Sequence, residues 1–283
     1  MTESDIRFGV FVPPQHPLTE NPTLLFDRDL EVISMCDRLG FDEAWVGEHY
    51  SGGVEIVIAV AAERTKHIRL GTGVRSLPYS HPFSVANSIV QLDHMTRGRV
   101  MLGVGPGALP IDAIQTGIDP TQTREMMEQS LEAIVRLLAG ERVTMKTDWF
   151  ELCDAKLQIA PYTKPRMEMA ITNVRSPAGA MLAGRFGLGT LSLGGASDDA
   201  LAHYASNIEE AATHGRSMDP AGLRLVAPMH IAETREKAID DLKFGFEGWV
   251  KYSHDVLPFS PVPAGEKDPL GYLVANRGAI VGT

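Results

Sequence analysis

Apolar positions along the chain follow two rhythms. Short β-rich runs alternate with longer segments whose apolar residues recur at helical spacing. The short runs are Arg7–Val12, Glu43–Glu48, Ile68–Val74, Arg99–Gly107, Arg166–Thr172, Leu188–Leu193 and Leu223–Ile231. Helical spacing marks Leu24–Gly40, Val57–Thr65, Phe83–Gly98, Thr123–Gly140, Ser176–Gly187, Asp199–Gly215 and Thr234–Ser253. Pro13-Pro14 stops the first strand, and Gly40 is a helix stop. Apolar strands alternating with helices predict a parallel sheet covered on its outside. Seven such pairs fit a (β/α)₈ TIM barrel better than an open doubly wound sheet.

One barrel domain is expected over residues 1–283. Residues 141–165 break the alternation with short strand and turn pieces and predict an excursion outside the main sheet. Residues 255–283, rich in Pro and Gly, predict an irregular tail. No eighth strand is visible before the closing Gly-Ala-Ile-Val-Gly-Thr. A missing stave would expose a long strand edge, so the last strand and helix are expected to be absent from the given sequence.

Composition narrows the function classes. The chain has 283 residues, 44% hydrophobic and 22% charged, with a formal net charge of −10. Its basic residues are dispersed, which argues against nucleic acid or an anionic membrane as partner. Cys36 and Cys153 form no disulfide framework, no run is long and apolar enough to span a bilayer, and the first residues lack a signal-peptide pattern. A cytoplasmic protein is expected.

In a barrel the active site lies at the C-terminal ends of the strands. Those ends are Val12-Pro13, Glu48-His49, Gly73-Val74-Arg75, Gly105-Pro106-Gly107, Thr172-Asn173, Leu193-Gly194 and His230. Glu48-His49 closes an apolar strand and runs into Ser51-Gly52-Gly53, so a carboxylate and an imidazole fall on the catalytic rim. Gly103–Pro110 has a glycine pattern without the Walker Lys-Ser/Thr or the dinucleotide spacing; its small residues would let backbone approach a flat ligand. Ser176 precedes Pro177 at the start of a helix, either as a simple cap or as part of a phosphate cradle. Arg124 opens another helix, where the dipole disfavours a cation and an anionic partner would offset this. His49, His81 and His230 each stand alone, so no metal site is expected and a metal-dependent hydrolase barrel is disfavoured.

The chain resembles the bacterial-luciferase-like flavin monooxygenases. The resemblance runs nearly the whole length, through GFDEAWVGEHY, LGTGVRSLPYSHP, QLDHMTRGRVMLGVGPG, TREMMEQSLEAIVRLL and LAGRFGLGTLSL. Leu92–Arg99 (Leu-Asp-x-x-Thr-Arg-Gly-Arg) is its most specific passage, and alkanal and limonene monooxygenases are the most similar members. The resemblance implies a TIM barrel that binds reduced FMN (FMNH2) from a separate flavin reductase and uses O2 to oxygenate a small apolar molecule. It implies His49 as the catalytic histidine, Glu48 orienting the strand end or bonding to flavin-side groups, and a cis peptide at Gly73-Val74 against the flavin. It also implies Gly105 beside the flavin, Thr172 at a cofactor-lining strand end, and Arg124 and Ser176 as matches to the family's phosphate ligands. A homodimer is implied as well. Gly105-Pro106 replaces a cysteine and an arginine of luciferase itself, which argues against light emission. The loop after Tyr50 is several residues shorter than in relatives. An F420-dependent oxidoreductase and a non-catalytic flavin-binding protein are the alternatives on the same fold.

Overall fold

The computed structural model describes residues 6–13, 20–48, 53–174, 176–195, 197–257 and 260–283. In chain order the elements are β1 (Gly9–Val12), α1 (Pro22–Leu39), β2 (Glu43–Val46), α2 (Val54–Arg64), β3 (Arg69–Thr72), β4 (Arg75–Ser76), α3 (Pro82–Met95), β5 (Val100–Gly105), α4 (Pro110–Gln115) and α5 (Thr123–Leu138). There follow β6 (Val143–Lys146), β7 (Glu151–Ala155), β8 (Met169–Asn173), α6 (Ala178–Phe186), β9 (Gly189–Leu193), α7 (Asp198–Thr213) and β10 (Leu223–Val226). The last elements are β11 (Met229–Ile231), α8 (Arg235–Leu242), α9 (Phe246–Val256), α10 (Pro269–Ala275) and β12 (Ile280–Gly282). The main strands are ordered β1-β2-β3-β5-β8-β9-β10, with β4 pairing β5 off that path. This is the expected barrel architecture, a mostly parallel sheet nearly closed into a barrel with helices around it.

The chain divides into two compact units, residues 1–107 with 112–170, and residues 108–111 with 171–283. In the first, β1, β2, β3 and β5 run parallel, with Val10 beside Ala44, Ala44 beside Leu70, and Leu70 beside Val100. Local chemistry sets the helix ends. Asn21 Oδ1 accepts from the Thr23 N–H at 3.0 Å to start α1, and Gly40 ends it at φ +81°, where L side chains are strained. His81 caps α3 through Nδ1, which accepts from the Phe83 N–H at 3.2 Å. Ile33, Ile58, Leu70, Ile89, Met101, Leu131 and Ile134 are fully buried here. Burial of each such side chain contributes about 1.5–3 kcal/mol.

Residues 143–155 make a separate antiparallel hairpin of β6 and β7. In the second unit β9 pairs with β10 in parallel, Thr190 beside Leu223. The expected strand Leu223–Ile231 is instead two. Pro228 lacks a backbone N–H and breaks it, and β11 pairs with β12. The expected helix Thr234–Ser253 is likewise broken at Lys243–Gly245 into α8 and α9. The tail expected to be irregular contains α10 and β12, held by a small core of Val262, Leu273 and Ala279 under Phe246, Trp249 and Tyr272. Its Pro-Gly content obscured those short elements, and Asp268 and Pro269 in fact start α10, with Asp268 Oδ1 accepting from the Gly271 N–H at 3.0 Å.

Candidate active site

In the first unit the strand ends are tied to one another. The Gly47 N–H donates to Val12 O at 3.0 Å, and the Gly73 N–H to Val46 O at 2.6 Å. The next peptide, Gly73–Val74, is cis. It delivers Arg75 and Ser76 to β4, beside Val104 and Gly105 at the end of β5. Glu48, Gly73, Val74 and Gly105 therefore share one rim.

Beneath that rim sits Trp45. A β-carbon at Gly71 would fall 2.5 Å from Cε3 of its indole, and one at Gly73 would fall 2.9 Å from Cε2 of Phe11. A β-carbon at Gly103 would fall 2.9 Å from Trp45 Cζ3. Trp45 Nε1 donates to Glu43 Oε2 at 2.8 Å. The glycines of β3 and β5 are thus the seat of a large ring as well as turn residues.

Glu48 is held on both oxygens. Arg75 donates through NH1 to its Oε1, and the Ser76 N–H donates to Oε2 at 2.6 Å. The guanidinium also donates to Ser80 Oγ at 2.6 Å. Its Nε lies 3.0 Å from Glu55 Oε1 in the first turn of α2, close enough for an ion pair but not aligned as a hydrogen bond. With side chains 15%, 9% and 18% exposed for Arg75, Glu48 and Glu55, this is a mostly desolvated acid–base–acid triad. Arg75 was visible in sequence only as a charge following a strand end, since its partners lie up to 27 residues away.

Tyr79 follows in a short 3₁₀ turn, Leu77–Tyr79. Burial pushes its hydroxyl up to about 12, and the charges of Asp112 and Glu48 add to that. The phenol is therefore neutral across the physiological range.

Arg124 is exposed in the first turn of α5. Thr172 and Ser176 belong to the second unit. There Thr172 Oγ1 and Asn173 Nδ2 are buried without a partner among the described residues, while Asn173 Oδ1 accepts from Ser192 Oγ at 2.6 Å. Ser176 does not occupy the helix cap. Pro177 does, without a side-chain cap bond among the described residues. Gly179 lets α6 approach β8, since a β-carbon there would meet Thr172 O at 2.5 Å. His49 lies outside the described residues, as does most of the short loop after it. No group of three or more His, Cys, Asp or Glu side chains converges as a metal site among the described residues.

The Leu92–Arg99 passage serves the opposite end of the strand. Asp93 accepts from the Thr163 N–H at 2.9 Å and its hydroxyl at 2.6 Å. Arg97 and Gly98 make a left-handed turn, at φ +55° and +84°. Arg99 donates to the carbonyls of Ala62 and Ile68, both at 3.0 Å, closing the end of α2.

A parallel barrel sheet with polar groups gathered beyond its strand ends is the layout of a barrel enzyme. The chain belongs to the luciferase-like monooxygenase family, whose profile matches residues 6–265. It is 46% identical to 4-hydroxyprotoasukamycin monooxygenase of Streptomyces nodosus subsp. asukaensis, over 98% of this chain and 79% of that protein. It is 44% identical to limonene 1,2-monooxygenase of Rhodococcus erythropolis, over 98% and 74%. Among solved structures, the oxygenating constituent of 3,6-diketocamphane monooxygenase from Pseudomonas putida, in complex with FMN, superposes at a TM-score of 0.82. That likeness carries 24% identity and covers 99% of this chain and 85% of that one. More distant relatives include F420-dependent oxidoreductases. By class of activity the chain is a flavin-dependent monooxygenase.

Proposed function

We propose that the chain is the oxygenating component of a two-component system. It uses reduced FMN, delivered by a separate flavin reductase, and O2 to oxygenate a small, mostly apolar molecule such as an aldehyde, ketone or terpene-like alkene. The observation that carries this reading is identity of 46% and 44% to two named monooxygenases across 98% of the chain.

The residues present fit such a cofactor. The α6 N-terminus lacks a side-chain cap, and Thr172 Oγ1 is a buried hydroxyl without a partner among the described residues. In the second unit Ser176 and the N-terminus of α6 are candidates to hold the phosphate, as anions are held at helix N-termini; in the first, Arg124 is a candidate cation for it. The backbone at Gly73-Val74 and Gly105 would support the flat ring, since small residues admit close approach. Reduced flavin, when bound, supplies the electrons for oxygen activation. The protein excludes water and manages protons, a role that suits the His49 imidazole. Glu48 sets the direction of the strand end that carries His49. In this reading the protein is cytoplasmic and homodimeric.

Parallel anaerobic titrations with reduced FMN and reduced F420 test the cofactor. FMN is expected to bind at least tenfold tighter. Preference for F420 would make the chain a hydride-transfer enzyme on the same scaffold, and binding of neither would overturn the reading.

A further inference from the structure

Tyr79 carries a feature that packing and hydrogen bonding among the described residues do not explain. Its hydroxyl is buried and has no hydrogen-bond partner among the described residues. An unmade hydrogen bond at a buried hydroxyl is costly, and substitution by a ring without the hydroxyl would remove the cost. Yet the fold makes room for this oxygen in particular. Gly107 stands at φ +89°, and of all described atoms the Tyr79 hydroxyl oxygen is nearest to where a β-carbon at Gly107 would be. A left-handed glycine is thus placed against a hydroxyl that serves no group among the described residues.

The location gives this a direction. Ser76, three residues earlier, pairs with Gly105 at the C-terminal end of β5, and Arg75 ties the same turn to Glu48 through Ser80. Tyr79 therefore sits on the barrel end where ligands bind. Burial, with the charges of Asp112 and Glu48 adding to it, holds the phenol in its protonated form, able to donate.

We propose that the Tyr79 hydroxyl is a hydrogen-bond donor to an oxygen of the bound ligand, either a carbonyl of the flavin or an oxygen of the substrate. It is a positioning and specificity residue, and the proposal rests on the flavin-monooxygenase reading.

Tyr79→Phe separates the two sources, with Gly107→Ala as a second variant that displaces the hydroxyl without removing it. Affinity for reduced FMN is measured anaerobically, KM and kcat with a turned-over substrate, and Tm for each variant. A flavin contact predicts a roughly three- to tenfold weaker FMN affinity in Tyr79→Phe; a substrate contact predicts the same factor in KM with FMN affinity unchanged. In both cases Tm stays level or rises, because a buried unpaired group is gone. Gly107→Ala is expected to weaken the same ligand. Unchanged FMN affinity and unchanged KM would overturn the proposal, as would a lowered Tm with both constants intact, which marks a structural hydroxyl. A wild-type protein that binds no flavin would overturn the parent reading and this one together. Wild-type binding with an indifferent Tyr79→Phe would overturn this one alone.

Discussion

Arg75 and Glu48 close the rim of the barrel across 27 residues of sequence, with the carboxylate also taking the Ser76 N–H at 2.6 Å. Both side chains are largely withdrawn from water, at 15% and 9% exposure. Removing Glu48 takes one of two carboxylates from the Arg75 guanidinium, which Glu55 still faces at 3.0 Å, so the loss falls short of the cost of a fully unpaired buried charge. Glu48→Ala is expected to lower stability by about 1.5–3 kcal/mol in chemical denaturation. Glu48→Gln, which keeps the shape, should lose less and leave the pH profile of turnover unchanged. A displaced pH profile would show that Glu48 exchanges protons in the reaction.

The imidazole next in sequence has the opposite expectation. His49→Ala should keep reduced-FMN affinity within a few-fold, while turnover falls about a hundredfold or more, the usual scale for a general acid–base group. Single-turnover kinetics with preloaded flavin measure this, and unimpaired turnover would remove His49 from the chemistry.

Gly103 is closed to any side chain. Its β-carbon would fall 2.9 Å from Trp45 Cζ3, and the carbonyl of Thr72 is closer still. Gly103→Ala is expected to cost about 1–3 kcal/mol through overpacking. Combining it with Trp45→Phe should recover part of the loss, and a double-mutant cycle reads the coupling.

Asp37 gives a pH dependence. Desolvation pushes its carboxyl up, but the N–H groups of Ile68, Lys66 and His67 outweigh that and hold it below the ordinary carboxylate value. A depressed folded value means that the stabilisation is fully present above the unfolded pKa, near 4, and is lost as pH falls through the folded one. Asp37→Ala should cost roughly 2 kcal/mol at neutral pH, discounted for its partial exposure. The gap from wild type should narrow on acidification below about pH 4. A gap independent of pH would assign the loss to packing.

The barrel was legible because its signals are local. Apolar runs, Gly40 as a helix stop and the α5 periodicity each lie within one element. What escaped was set by distance or by short elements. Pro228 divides a continuous apolar run whose second half pairs with β12, some fifty residues on. The Arg75 clamp and the Tyr79 hydroxyl, without a partner among the described residues, depend on long-range placement that no spacing rule contains. Leu92–Arg99, the most specific stretch for family likeness, proved to be structural. Arg99→Ala should cost about 2–3 kcal/mol by leaving the α2 carbonyls unpaired, with flavin affinity unchanged.

The central claim concerns the fate of molecular oxygen. Purified protein with FMN, a flavin reductase and a panel of aldehydes, ketones and terpenes is supplied with ¹⁸O₂, and products are weighed by mass spectrometry. The expected result is a product bearing one labelled oxygen atom, formed only with reduced FMN present. Flavin oxidation with no labelled product from any class, or substrate conversion that proceeds without O2, would contradict it.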